Sequence, residues 1–159
     1  MAPADIQGSL ERIDAEATVS RLLQVATAEL TRLLDASRVS VSRTIGDLLV
    51  ELTHHDAGGA VPPLELFLVT DYPLTQEVIE RQEPRTVVVG DPDADPAESA
   101  LLERFGFDSL LMLPLRSRSQ NWGLVEIWAD RRFSADEIAD ATTVVERVGD
   151  ALAVLEQRA

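Results

Sequence analysis

The stretch Ser109-Leu110-Leu111-Met112-Leu113-Pro114-Leu115 is apolar at every position after its serine. Successive side chains of a strand point to opposite faces, so this one carries apolar residues on both. Such a strand belongs at the centre of a sheet that is covered on both sides. A sheet with one face in water cannot accommodate it. The rest of the chain must therefore supply two layers of cover.

The flanking sequence supplies the first layer. From about Asp5 to Asp35 nothing after Gly8 breaks a helix, and Val19, Leu22, Leu23, Ala26, Leu30, Leu33 and Leu34 recur in one apolar stripe. Ile6, Leu10, Ile13 and Ala17 continue it at a narrower spacing, closer to a coiled-coil seam, which predicts that the first half projects as a helical extension over residues 1–17. At the other end Ser134-Ala135-Asp136-Glu137 reads as a capping box. The helix behind it carries Ile138, Ala141, Val145, Val148, Leu152 and Leu155 at steps of three and four.

Between these helices lie the strands. Arg38 to Thr44 and Leu48 to Thr53 alternate around an Ile45-Gly46-Asp47 turn and predict an antiparallel hairpin. Its polar side, Ser40, Ser42, Glu51 and Thr53, is expected to face water. His54 to Pro63 reads as a loop because of Gly58-Gly59 and Pro62-Pro63, and Leu64 to Val69 is an apolar run of unassigned type. A helix is predicted from Thr70-Asp71-Tyr72-Pro73 to Gln82, a strand over Arg85 to Val89, and a short helix from Pro96 to Phe105 capped by Asp95 and closed by Gly106. Trp122 to Asp130 pairs with the central strand, with Gly123, Val125 and Ile127 opposed to Trp122, Leu124, Glu126 and Trp128. The segment from His54 to Gly106 is left to cover the second face, and a small-molecule pocket fits between it and the sheet.

Composition narrows the chemistry. Twenty-eight acidic residues against 14 basic ones give a formal charge of −14, which opposes binding to nucleic acid or an anionic membrane. Every base is arginine, and there is no cysteine. Lysine and thiol chemistry are thereby removed. No apolar run approaches the roughly 20 residues of a membrane helix, and no secretory signal begins the chain, so a cytoplasmic location is expected.

Taken in order, Asp71-Tyr72-Pro73, Asp91-Pro92-Asp93-Ala94-Asp95-Pro96-Ala97-Glu98, Ser109 to Leu115, Trp122-Gly123-Leu124-Val125-Glu126-Ile127 and Arg132-Phe133-Ser134-Ala135-Asp136-Glu137 resemble a GAF domain. The resemblance spans roughly residues 18 to 155, and residues 18–159 are taken as a single domain of that kind. It implies an α/β (α+β) fold: a mostly antiparallel sheet of five to six strands, long terminal helices on one face, and loops and short helices on the other. It further implies a non-enzymatic regulatory or sensory module for signal transduction, a ligand pocket, a homodimer joined through the terminal helices, and an output or partner signalling protein. Members that bind cyclic nucleotides carry an Asn-Lys pair, which a chain without lysine cannot have. Covalent bilin attachment and the reductase chemistry of some members need cysteine. A haem would need His54 or His55 as its axial ligand. No cofactor is therefore expected.

The ligand-binding candidates are Tyr72, Met112, Glu126 and Trp128. Tyr72 and Trp128, with Phe67 and Trp122, could stack on a planar ligand. Glu126 lies mid-strand, where it either meets a ligand or pairs structurally with Arg43 or Arg116, and the sequence offers it no second buried acid for catalysis. The dimer candidates are Ile6, Leu10, Ile13, Val145, Val148, Leu152 and Leu155. No catalytic or metal site is assigned: His54-His55 lacks further ligands, and Pro96 and Leu102 stand where a calcium loop after Asp91 needs glycine and glutamate. The alternative reading is a ligand-free dimerisation or interaction domain whose pocket is filled by Met112 and Leu111. A small hydrolase using Glu126 is a more distant one.

Overall fold

Every strand pairing in the computed structural model is antiparallel, and the model describes residues 6–57 and 66–158. The elements run α1 (Ile6–Asp14), α2 (Val19–Leu34), β1 (Arg38–Ile45), β2 (Leu48–Asp56), β3 (Phe67–Leu68), a 3-10 turn (Val69–Asp71), α3 (Pro73–Arg81), β4 (Arg85–Val88), α4 (Pro96–Phe105), β5 (Ser109–Ser117), β6 (Gln120–Ala129) and α5 (Ala135–Gln157). They form one six-stranded sheet in the order β3-β2-β1-β6-β5-β4. The predicted glycine- and proline-rich loop at 58–63 and the start of the run at Leu64 lie outside the described residues.

The apolar strand is buried on both faces, as its sequence requires. Leu111, Leu113 and Leu115 join Val39, Val41, Val125 and Ile127 beneath α2 and α5. Leu110 and Met112 join Leu49, Leu124 and Trp128 on the other side, beneath Val78 of α3 and Leu101 and Leu102 of α4. Gly149 brings α5 directly onto β5: a Cβ there would collide with the Arg116 carbonyl. Ser134 caps α5, accepting from the Glu137 N–H at 3.1 Å while Glu137 accepts from the Ser134 N–H at 2.9 Å.

Three expectations are corrected. The first helix is broken: Thr18 takes an extended φ of −132° and its hydroxyl accepts from the Arg21 N–H at 3.2 Å, starting α2 anew. The break lets α1 fold back on α2 and α5. Ser9 and Arg12 bond Glu29 of α2 at 2.7 and 2.8 Å, and Arg147 of α5 reaches Asp14 at 2.6 Å. Residues 6–14 therefore belong to the body of the domain. The same packing uses the dimer candidates internally: Leu10, Ile13, Val145, Val148, Leu152 and Leu155 are all buried in one chain, with Ile6 half-buried against them. A heptad-like spacing arises equally from helices packing within one protomer.

The third correction concerns Trp122. The β5–β6 register passes from Leu115 opposite Gly123 to Arg116 opposite Asn121, leaving Trp122 as an extra residue in β6. This bulge reverses the alternation and turns the indole to the helical side. There its N–H donates to Glu156 of α5 at 3.4 Å, and the Arg43 guanidinium lies 4.2 Å from the ring centre.

Candidate functional site

The α3–α4 face of the sheet is more polar than its alternation suggests. In register, Arg38 stands opposite Trp128, Ser40 opposite Glu126 and Ser42 opposite Leu124. Beyond them Asp56 stands opposite Arg38 and His54 opposite Ser40. A bulge skips Leu52, so Glu51 shares the side of His54 and Asp56. The expectation that this side faces water is therefore wrong: Ser40 and Ser42 are buried, as is the Glu51 side chain. His54 and His55 lie inside β2, not in a loop.

Arg38 is fully buried and organises one end of this face. Its Nη2 donates to Glu51 at 2.6 Å and its Nη1 to Asp56 at 3.1 Å. His54 lies 3.6 Å from Glu51 and 3.3 Å from Asp56. Among the described residues, no group of three His, Asp or Glu side chains is arranged to hold a metal. Arg38 Nε, Ser40 Oγ and Trp128 Nε1 are buried without a hydrogen-bond partner. Unpaired buried polar atoms are uncommon, and these three stand on adjacent positions of one sheet face.

The cavity lies beside this row. Leu49, Phe67, Val69, Tyr72, Thr75, Glu98, Leu101 and Glu126 enclose it, and its free volume is about 10 Å³, room for about one water. Pro96 and the Asp95 cap start α4, with Asp95 accepting from the Glu98 N–H at 3.1 Å. That turn carries Glu98 inward to meet α3, where the Thr75 hydroxyl donates to its carboxylate. The same hydroxyl lies 3.4 Å from Met112 Sδ, tying α3, α4 and β5 together. The half-buried Phe67 and Tyr72 rims meet edge to face at 5.3 Å.

Two acids thus face one small apolar space. Burial pushes the Glu126 carboxyl up to about 8, with the charges of Glu98 and Glu51 adding and Arg38 opposing. Burial also pushes Glu98 up to about 7, against the Thr75 hydrogen bond and with the charge of Asp95 adding. The Tyr72 phenol is raised by burial and by Glu98 and Asp71. The two expected structural partners of Glu126 are elsewhere: Arg43 stacks on Trp122, and Arg116 is exposed at the far end of β5.

Of the four ligand candidates, the fold places Tyr72 and Glu126 on the cavity wall and Met112 beneath it. Trp128 is fully buried farther along the sheet, with Phe105 and Phe107 edge-on at 5.9 and 5.5 Å. Sequence reasoning missed Glu98, Thr75 and Arg38. The residues alone offer Glu126 no second buried acid. The one available signal was Arg38, a charge in the alternation that places Val39 and Val41 on the opposite side.

The sequence matches the GAF domain family over residues 18–152. The chain belongs to the GAF family. GAF domains are a sensory and regulatory family, and the six-stranded sheet with helices on both sides is their fold. The phycocyanobilin-bound GAF domain from a cyanobacterial phytochrome superposes with a TM-score of 0.84 at 20% identity, over 97% of each chain. JSC1_58120g3 with bound biliverdin IXa gives 0.81 at 16% identity, over 95% of this chain and 98% of that one. The bacteriophytochrome RpBphP3 from the photosynthetic bacterium R. palustris gives 0.84 at 14% identity, over 96% of this chain. This GAF chain spans only 38% of that phytochrome and 62% of its separate chromophore-binding domain. No functionally curated protein matches the sequence.

These neighbours overturn the expectation of no cofactor, because GAF domains of this shape hold biliverdin, phycocyanobilin or phycoerythrobilin. Absence of cysteine removes a thioether anchor and leaves non-covalent occupancy untouched. This cavity, with its side chains as placed, does not fit a tetrapyrrole, however. About 10 Å³ is free, whereas small-molecule sites enclose about 300–1,000 Å³. No helix among the described residues is long and apolar enough to cross a membrane.

Proposed function

We propose that this GAF domain is a non-enzymatic regulatory module that senses a small molecule between the sheet and the α3–α4 cover, with Tyr72, Glu98, Glu126 and Met112 around the ligand. The observation that carries this reading is Glu126. Its side chain is buried on the cavity wall, and no described residue donates a hydrogen bond to it or pairs with its charge. An acid that served packing alone would be cheaply replaced by an apolar residue. Accommodating a ligand larger than water requires the cover to move, because the cavity holds about one water. Separating Thr75 from Glu98 would shift α3 and α4 against β5 and β6, whose other face carries α5. The terminal helices then pass the change to a partner signalling protein or to a second copy. Since the seam residues are used internally, such a dimer would use the outward faces of α2 and α5, where Val154 is exposed.

Catalysis is not part of this reading. Thr75, the cavity hydroxyl bonded to an acid, is itself buried, and the space beside it admits no substrate in the closed form. The small cavity favours a second reading, a ligand-free interaction domain with a filled pocket. Met112 does lie on the cavity side, but Leu111 points into the helical core and takes no part in such filling.

Native mass spectrometry of the protein isolated from its own source separates the two. The sensing reading expects a bound small molecule that is lost in Leu101→Phe, which fills the cavity while keeping an apolar wall. Bare protein in both forms supports the filled pocket.

A further inference from the structure

The charge around the cavity does not balance. Glu51, Asp56, Glu98 and Glu126 meet one buried base, Arg38, and that base is committed to Glu51 and Asp56 at 2.6 and 3.1 Å. Glu98 has a neutral hydroxyl as its partner, and Glu126 has no partner among the described residues. The wall contains no arginine or histidine: its other members are Leu49, Phe67, Val69, Tyr72, Thr75 and Leu101. Two acids at the floor of an apolar, aromatic-rimmed space are therefore left to hold protons or to meet a positive charge from outside the chain.

We propose, building on the sensing role above, that the ligand of this pocket is a small organic cation, an amine or amidine with an apolar body. Its charged head sits between Glu98 and Glu126. Its body lies along Leu49, Val69 and Leu101, with the Phe67 and Tyr72 rings at the rim, where an aromatic face also favours a cation. A metal ion is a poorer occupant, because the described residues offer no third His, Asp or Glu side chain here.

Binding is coupled to proton release. Glu126 is faced by Arg38 from β1, Glu51 from β2 and Glu98 from α4, and Glu98 by Asp95 and Thr75. Tyr72 is faced by Glu98, Asp71, Glu126 and Arg104. Arg104 lies over the Phe105 ring, and His54 stands 3.6 Å from Glu51 and 3.3 Å from Asp56. Burial holds both carboxyls protonated into the neutral range, so a cation must displace at least one proton. Affinity then rises with pH until both acids are ionised.

Benzamidine, which keeps its charge across this range, and its neutral isostere benzamide are suitable probes. Calorimetry at about pH 6 and about pH 8.5 should find benzamidine binding at least about tenfold tighter at the higher pH, with proton release seen as a buffer-dependent heat. Benzamide should bind at least about tenfold more weakly at pH 8.5, and Glu126→Gln should lose most of the difference between the two. Equal binding of both compounds, or benzamidine affinity that falls with pH, overturns the cation assignment while leaving the pocket in use. Absence of binding by either at millimolar concentration overturns the cation assignment and the open-pocket reading together. The wild-type pH dependence decides the matter even where the variant does not fold.

Discussion

Replacing Arg38 by methionine is expected to lower the stability of the domain by about 3–5 kcal/mol at neutral pH, a large fraction of what a domain this size possesses. Arg38 is fully buried, and both Nη atoms are used, one on Glu51 at 2.6 Å and one on Asp56 at 3.1 Å. Those carboxylates sit on β2 with side-chain exposures of 7% and 15%, too little for water to replace the guanidinium. The variant would leave two buried negative charges, on Glu51 and Asp56, without the guanidinium that bridges them. Lysine at this position should recover only part of the stability, since a single ammonium cannot bridge both acids as the planar fork does. Urea unfolding of Arg38→Met and Arg38→Lys at about pH 7 measures this. A loss under about 1 kcal/mol at pH 7 would mean that the cluster is solvated.

Glutamine at 126 should do the opposite. In the unfolded chain the Glu126 carboxyl releases its proton near the ordinary 4.5, whereas the folded protein holds it to about 8. Between these values the folded state binds more protons than the unfolded state, so stability falls as pH rises through the window. Glu98, held to about 7, adds to the decline from the same starting point. A glutamine needs no proton and has nearly the shape of the protonated acid. Glu126→Gln should therefore match the wild type near pH 5 and exceed it by roughly 3–5 kcal/mol near pH 9, with a flatter curve between. Parallel pH–stability curves for the two proteins would show that Glu126 is ionised and solvated.

The order of helices and strands was legible because each element announces itself locally. The doubly apolar run became the two-faced β5, Ser134 and Glu137 became the capping box, and Asp95 before Pro96 became the cap of α4. What misled was information that resides in register and in contacts distant in sequence. The bulges at Leu52 and Trp122 each reverse an alternation that the residues alone do not mark, turning Glu51 inward and Trp122 away from the site. Arg38 finds its partners 13 and 18 residues later on a neighbouring strand. Glu98 occupies a helix position that normally faces water, and only the arrival of Thr75 from α3 buries it. The spacing of Leu10, Ile13, Val145, Val148 and Leu152 suits a dimer seam and an intrachain contact alike, because periodicity does not say whether the opposing helix belongs to the same chain.

Glu126 and Glu98 keep their protons near neutrality at the wall of the proposed ligand space. Carboxyl-detected NMR of protein with ¹³C-labelled glutamate, titrated from about pH 4 to about pH 10 and assigned with Glu126→Gln and Glu98→Gln, tests that directly. Two resonances should titrate apart from the rest, near 8 and near 7, each missing from one variant. If every glutamate carboxyl is ionised by about pH 5.5, the pocket holds no protons, and the proposed acidic sensing site is wrong.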